Sequence, residues 1–331
     1  MNISEFAKAA GVSKSAVSRY FNDGYLSDEK RAAIEKAIAE TGYAPGTASR
    51  SVKTRVTKLI GVILPKLSSD SCARIAEGIS SVLGEQGYEL LLVNTANDYN
   101  KEIKYLDLFR GKRVDGVIFL ASVFTPLHRS ILSKMHIPVI IVGQRYSGYS
   151  CVCHDDFGAA YAVTELLLKG GASCPAYIGV TDEDVAVGAE RRRGFMQALS
   201  DHGIAVSDEH CACAEFSVDS GYSCARRIFK SRLRPDCLFC ATDTIASGVV
   251  LYCRENGIRI PGDILVGSVG DSKIGRVLSL STAHLHYHTA GREAASMLLS
   301  AISHPDAIPR TMQLGFELVE RSSTNTSCET L

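Results

Sequence analysis

No run of about 18 consecutive apolar residues occurs in the 331-residue chain, so it has no stretch suited to a membrane-spanning helix. The opening residues carry acids in an amphipathic pattern. They lack the basic patch and apolar core of a secretory signal, so the expected location is the cytoplasm. Three catalytic fingerprints are also missing: a Gly-x-Ser-x-Gly elbow, a phosphate-cradling loop and a dinucleotide-binding glycine motif. Their absence disfavours an enzyme acting on sugars or nucleotides. Charge of one sign is missing overall, because 36 Lys and Arg balance 36 Asp and Glu. The last residues, 322–331, are polar and carry no heptad pattern, which argues against a tetramer built on a C-terminal coiled coil. What is present is ordinary globular material: 46% hydrophobic and 22% charged residues, enough to rule out disorder.

Eleven cysteines raise the question of a metal or a disulfide. Cys151-x-Cys153 and Cys211-x-Cys213 have two-residue spacing, and Cys237-x-x-Cys240 sits in an apolar, strand-like run. Residues three apart on a strand face opposite sides, whereas zinc sites need paired elements with turn-like spacing. The cysteines therefore read as small buried hydrophobes. His284-x-His286-x-His288 alternates in an extended segment and is likewise not read as a metal site. No cofactor is implied.

The balanced charge is unevenly spread. Residues 1–58 hold ten Lys and Arg against six Asp and Glu, so a basic end is joined to an acidic body. In that basic end, Ile3 to Ala10 shows helical spacing with Phe6, Ala7 and Ala10 on one side. Gly11-Val12-Ser13 interrupts it, and glycine can take the left-handed conformation a sharp turn needs. Ser13 is a suitable N-cap for a second helix, Lys14 to Phe21, with Val12 and Val17 packing back onto Ala7. Two short helices joined this way are the signature of a helix-turn-helix. Lys14, Ser15, Ala16 and Arg19 are expected on the exposed part that enters the major groove, with Ser4 and Asn22 as flanking DNA contacts. A third helix runs from Asp28 to Thr41, and Gly42-Tyr43-Ala44-Pro45 stops it. Residues 46–57 are short, basic and poor in core residues, either a solvated linker or a hinge that becomes helical only when docked. The bland alternative is a three-helix cap on a larger enzyme.

These residues carry a resemblance. Ile3 through Arg19, Gly42-Tyr43-Ala44-Pro45 and Arg50-Ser51-Val52-Lys53 resemble the LacI/GalR family of repressors in order and spacing. The resemblance implies a dimer whose hinge helices lie side by side in the minor groove of palindromic operator DNA. Val52, where the family usually has Leu, would wedge between base pairs, and Arg50 and Lys53 would hold phosphates.

From Leu59 onward the pattern is α/β. Apolar runs at Leu59–Leu64, Glu89–Val93, Gly116–Leu120 and Val139–Val142 alternate with helix-like stretches at Ala73–Gln86 and Lys101–Gly111. It restarts with strands at Ala176–Val180, Cys237–Ala241 and Ile264–Val269, and helices at Arg191–Asp201 and Thr244–Asn256. Two parallel-sheet lobes leave a cleft at the strand carboxyl ends. Candidate ligand contacts follow strands: Lys66, Ser71, Asp155, Asp156, Arg191, Phe216, Asp243 and Asp271. Acids, an arginine and one ring suit a sugar, since carboxylates accept hydroxyl protons and rings stack on C–H faces. Against this, Asp243 also suits a helix N-cap, Asp155 and Asp156 a helix start, and Arg191-Arg192-Arg193 a solvated face.

The resemblance implies a periplasmic-binding-protein-like core of two parallel sheets, crossed by the chain three times. The lobes would span about 58–143 with 287–304, and about 144–283 with 305–321. It places Arg191, Phe216 and the acid of Thr242-Asp243 where relatives contact effector. The family's Gly-aromatic-Asp-Asp reads Ser268-Val269-Gly270-Asp271 here, so Gly270 replaces an acid and Asp271 is the candidate substitute. Val152-Cys153-His154-Asp155-Asp156, Cys240-Ala241-Thr242-Asp243-Thr244 and Ser268-Val269-Gly270 look most like the trehalose-repressor branch. That similarity implies a disaccharide or its 6-phosphate, with Lys66 where the branch has a phosphate-binding arginine. The expected function is a dimeric transcriptional repressor controlled by a small carbohydrate. A purine corepressor or protein partner remains an alternative, as does a transport binding protein, which would require an export signal.

Overall fold

The computed structural model describes residues 3–21, 24–41, 57–111 and 114–325, and divides into two compact units, 1–56 and 57–331. Asn22, Arg50, Val52, Lys53 and nearly all of the expected hinge, 46–56, lie outside the described residues.

The small unit holds α1 (Ile3–Ala9), α2 (Lys14–Phe21) and α3 (Asp28–Thr41). Gly11 has φ +65°, and Val12 N–H reaches back to the Ala7 carbonyl at 3.0 Å, closing the turn the glycine permits. The Ser13 hydroxyl accepts a 3.2 Å hydrogen bond from the Ala16 amide and caps α2. Phe6, Ala7, Ala10, Val17, Leu26, Ile34 and Ala37 form the core. Ala16 belongs to that core too, at 4% exposure, and not to the outer face expected of it. Helical geometry explains the correction. Positions 16, 17 and 20 share the inward face, while Lys14, Ser15, Ser18 and Arg19 are exposed. Ser4 is half-buried on α1.

The large unit begins with β1 (Leu59–Leu64), α4 (Asp70–Glu85), β2 (Glu89–Asn94), α5 (Tyr99–Gly111), β3 (Gly116–Leu120), α6 (Pro126–Leu132), β4 (Val139–Val142) and β5 (Ser150–His154). It continues through α7 (Asp156–Lys169), β6 (Pro175–Gly179), α8 (Arg191–Asp201), β7 (Cys211–Cys213), α9 (Val218–Ile228), β8 (Cys237–Cys240), α10 (Asp243–Glu255) and β9 (Leu265–Val269). It ends with α11 (Lys273–Val277), β10 (Ser281–His284), α12 (Tyr287–Ser303), β11 (Thr311–Leu314) and β12 (Glu317–Val319). The strands form two sheets, ordered β11-β5-β4-β3-β1-β2 and β12-β10-β9-β8-β6-β7. Among the described residues every pairing is parallel except β10 with β12.

Central parallel strands are covered on both faces, which is why β1, β3 and β4 read as unbroken apolar runs. Ile60, Val62 and Leu64 of β1 face α4 and α12, while Ile63 faces Phe109, Val117 and Phe119. α4 and α12 cross at glycines. A Cβ on Gly78 would lie 2.1 Å from the His288 carbonyl oxygen, and one on Gly291 2.0 Å from that of Ile75. Only hydrogen fits there.

The chain passes between sheets after His154, between His284 and Tyr287, and between Leu314 and Glu317. Two expected lobe boundaries are thereby corrected. β5 and β11, assigned above to the second lobe, extend the first sheet by pairing with β4 and with each other. The first crossing therefore comes at Asp155 and not near Gln144. Among the described residues, no helix is long and apolar enough to cross a membrane. Among the same residues, no group of three or more His, Cys, Asp or Glu is placed to hold a metal ion. His284 Nδ1 instead lies 2.9 Å from Asp271, and His286 3.8 Å from Glu317. Cys237 and Cys240 are buried on opposite faces of β8, and burial pushes both thiols well above their ordinary range.

Candidate functional site

The carboxyl ends of both sheets face a cleft of about 210 Å³. This is where open α/β sheets generally take ligands, because strands stop there and loops and helix starts supply polar groups. The first sheet's side contributes Lys66 after β1, Ser69, Asp70, Ser71 and Arg74 from the start of α4, Ser122 after β3, and His154 ending β5. The second contributes Asp156, Asp184, Arg191, Phe216, Thr242, Asp243, Gly270 and Ser272. Tyr287, opening α12 at the second crossing, also lines it.

Two cations bridge the lobes. Lys66 Nζ donates a 2.8 Å hydrogen bond to the Phe216 carbonyl, and Arg74 Nη2 donates one of 2.6 Å to the Gly270 carbonyl. Arg74 Nε stands 2.9 Å from the Asp70 carboxylate, at an angle that makes an ion pair and not an aligned hydrogen bond. The guanidinium lies 4.9 Å from the Tyr287 ring centroid, in cation–π range.

Arg191, also lining the cleft, is 2% exposed. Its Nε and Nη2 reach Asp156 at 2.8 and 2.7 Å, and Nη1 donates to the Ala241 carbonyl at 2.5 Å. Burial alone would weaken its charge; Asp156 and Tyr287 beside it more than restore that charge. A π-helical turn, Val185–Glu190, precedes α8 and delivers Arg191 into the interior; such turns recur at functional sites. Asp184 caps that turn, accepting the Val187 amide at 3.0 Å, and Gln144 Nε2 lies 3.4 Å away. Burial pushes the Asp184 carboxyl up to about 6. His154 is 8% exposed, its Nε2 has no hydrogen-bond partner, and burial lowers its pKa to about 4, leaving a neutral ring at pH 7.

Of the sequence candidates, Lys66, Ser71, Asp156, Arg191, Phe216 and Asp243 line the cleft, whereas Asp155 and Asp271 do not. Asp155 is the N-cap of α7, accepting from the Gly158 amide at 2.9 Å. Asp271, with φ +50°, is held by Arg276 at 2.7 Å, Arg321 at 2.6 Å and His284 at 2.9 Å. Burial would raise its pKa, but those three donors hold it down at about 2. It therefore does not substitute for the missing family acid. Asp243 lines the cleft, yet its oxygens accept from the Ser268 hydroxyl at 2.6 Å, the Thr282 hydroxyl at 2.9 Å and the Ser272 amide at 2.6 Å. The helix cap there is Thr242. Gly270 has φ +146°, which L side chains rarely adopt, so the glycine at this position has a backbone reason.

Sequence reading missed Arg74, Asp184, His154 and Tyr287. Only Arg74 left a signal, as the i,i+4 partner of Asp70 on α4.

Residues 2–46 match the family described as "Bacterial regulatory proteins, lacI family", and residues 164–324 match a periplasmic binding protein-like domain. The chain is 32% identical over 304 residues to the sucrose operon repressor of Staphylococcus xylosus, covering 92% of this chain and 94% of that one. It is 30% identical over 329 residues to the HTH-type transcriptional repressor PurR of Pectobacterium carotovorum subsp. carotovorum, covering 97% and 96%. A solved transcriptional regulator CelR–cellobiose complex superposes with TM-score 0.75 at 24% identity, over 98% of this chain and 99% of the other, a likeness of fold.

Proposed function

The chain belongs to the lacI family of bacterial regulatory proteins, and from that premise we propose that a carbohydrate in the cleft sets how tightly its helix-turn-helix unit holds an operator. As a member of that family it is a DNA-binding transcriptional repressor, not an enzyme by kinship. The observation that carries the proposal is the pair of hydrogen bonds spanning the cleft, from Lys66 to Phe216 and from Arg74 to Gly270. The lobes are fastened to one another by residues that line the ligand site. A ligand there acts on their spacing directly.

The coupling is thermodynamic linkage. The effector shifts DNA affinity only as far as it prefers one lobe arrangement, and about 1–3 kcal/mol of preference gives a five- to 150-fold change. The DNA-reading unit works as a homodimer on palindromic DNA, with Lys14, Ser15 and Arg19 of α2 toward the major groove. Ser4 and Asn22 flank that contact. Arg50, Val52 and Lys53 keep the hinge roles implied by resemblance.

Phe216 offers an apolar face and Asp184 an acceptor, which together suit a sugar ring with its hydroxyls. The sucrose operon repressor among the relatives and the trehalose-repressor-like motifs both favour a disaccharide or its phosphate. Similarity to PurR supports a second reading, a purine stacked on Phe216. A thermal-shift panel of disaccharides, their phosphates and nucleobases tests both. A true effector at a hundredfold over its Kd stabilises by about 2.7 kcal/mol. A shift with nucleobases alone would discard the sugar.

A further inference from the structure

We infer that the effector is an uncharged sugar, preferred over its phosphate, because the cations lining the cleft are outnumbered by carboxylates and each is already bonded within the protein, while a carboxylate and an unpartnered buried imidazole await hydroxyl groups. This rests on the carbohydrate reading above and narrows it.

Three cations line the cleft against four carboxylates, Asp70, Asp156, Asp184 and Asp243. Arg191 spends Nε and one Nη2 hydrogen on Asp156 and one Nη1 hydrogen on the Ala241 carbonyl, three of its five N–H donors, so its Nε–Nη2 edge is closed to a phosphate and the rest of the group is 2% exposed. Arg74 is divided between Asp70, the Gly270 carbonyl and the Tyr287 ring. Lys66 is the remaining point charge, and one of its protons goes to Phe216. A phosphate dianion entering here would meet one ammonium with two protons to spare and two partly engaged guanidiniums, and would be desolvated beside four acids. Burying charge without full compensation is costly.

The vacant hydrogen-bonding capacity is of the opposite kind. Asp184 is bonded to the Val187 amide and lies near Gln144, and its carboxylate can accept more. His154 is 92% buried, lines the cleft and leaves Nε2 without a partner. Burial keeps its ring neutral, so it serves as one donor and one acceptor. A hydroxyl, which donates and accepts, complements both groups.

The test is calorimetric titration of the full-length chain with matched pairs: sucrose and sucrose 6-phosphate, trehalose and trehalose 6-phosphate. The expected result is that one parent sugar binds at least tenfold more tightly than its phosphate. In Asp184→Asn, the preference should shrink by about tenfold as the repulsive charge is removed. In His154→Phe, affinity for the parent sugar should fall by about tenfold and be largely restored in His154→Gln, with the melting of the ligand-free protein followed for each variant. A phosphate binding as well as or better than its parent overturns this inference and leaves the carbohydrate reading standing. No binding by either member of any pair overturns both. A parent-to-phosphate ratio unchanged in Asp184→Asn overturns the electrostatic basis.

Discussion

Lys66 Nζ lies 2.8 Å from the carbonyl oxygen of Phe216, a contact between residues 150 apart in sequence that joins the loop after β1 to the loop before α9 in the other lobe. A hydrogen bond from a charged donor contributes about 1.5 kcal/mol or somewhat more. Lys66→Met should therefore weaken effector binding by roughly tenfold and move the effector midpoint in an operator gel shift by a similar factor. An unchanged midpoint would show that the contact does not govern lobe spacing.

Asp156→Ala leaves the Arg191 guanidinium buried without its carboxylate. Breaking one side of such a pair costs about 3–5 kcal/mol. Urea unfolding followed by circular dichroism should show the loss in the large unit. Arg191→Lys should not rescue function, since an ammonium cannot serve Asp156 and the Ala241 carbonyl together. A loss of ligand binding with unchanged stability in either variant would make Arg191 a pure ligand contact.

Arg19 is exposed on α2. Arg19→Ala should abolish preference for the operator while leaving effector affinity unchanged, and should flatten the dependence of DNA affinity on salt by about one counterion if the contact is to phosphate. Filter binding across a salt series, paired with calorimetry of the effector, measures both. Equal damage to DNA and effector binding would contradict the division of labour.

Ala16→Leu distinguishes a buried position from a groove-facing one. Overpacking the small core beside Phe6 and Val17 should cost about 1–3 kcal/mol. Amide exchange in residues 3–41 should accelerate. If exchange is unaltered and only DNA binding suffers, Ala16 faces the groove after all.

The Asp184 carboxyl is raised from 3.8 to about 6 by burial, so the folded protein holds its proton more tightly than the unfolded chain does. Its contribution to stability is then greatest below pH 4 and declines as pH rises to about 6. Above that the penalty is complete, at about 3 kcal/mol. Asp184→Asn should be more stable than the parent at pH 7.5, and the advantage should vanish near pH 4. Urea midpoints at both values decide it; a constant difference across that range would refute it.

The apolar runs of β1, β3 and β4 were legible because a strand covered on both faces has no reason to alternate. β5 was not, since Ser150-Cys151-Val152-Cys153-His154 mixes small, polar and titratable residues. β11 is an edge with alternating exposure, and β7 and β12 are three residues long. The lobe boundaries missed in consequence, because the crossings follow β5 and β11.

At the site, sequence order revealed which acids follow strands but not which oxygens are already occupied. Asp155 is taken by a helix start three residues away, and Asp271 by Arg321, 50 residues on. No local pattern records the second case. His154 and Tyr287 were invisible for a related reason: each stands at the end of an element whose partner lies across a lobe crossing. Ala16 was misplaced because small size suits both a groove and a core, and only the phase of the helix separates them.

β11 closes one edge of the first sheet and β12 one edge of the second, with only Gly315 and Phe316 between them. The first sheet is complete only with Leu314, and the second only with Val319. Both sheets thus take an edge strand from one short stretch, 311–319, so a lesion there unsettles the two lobes at once.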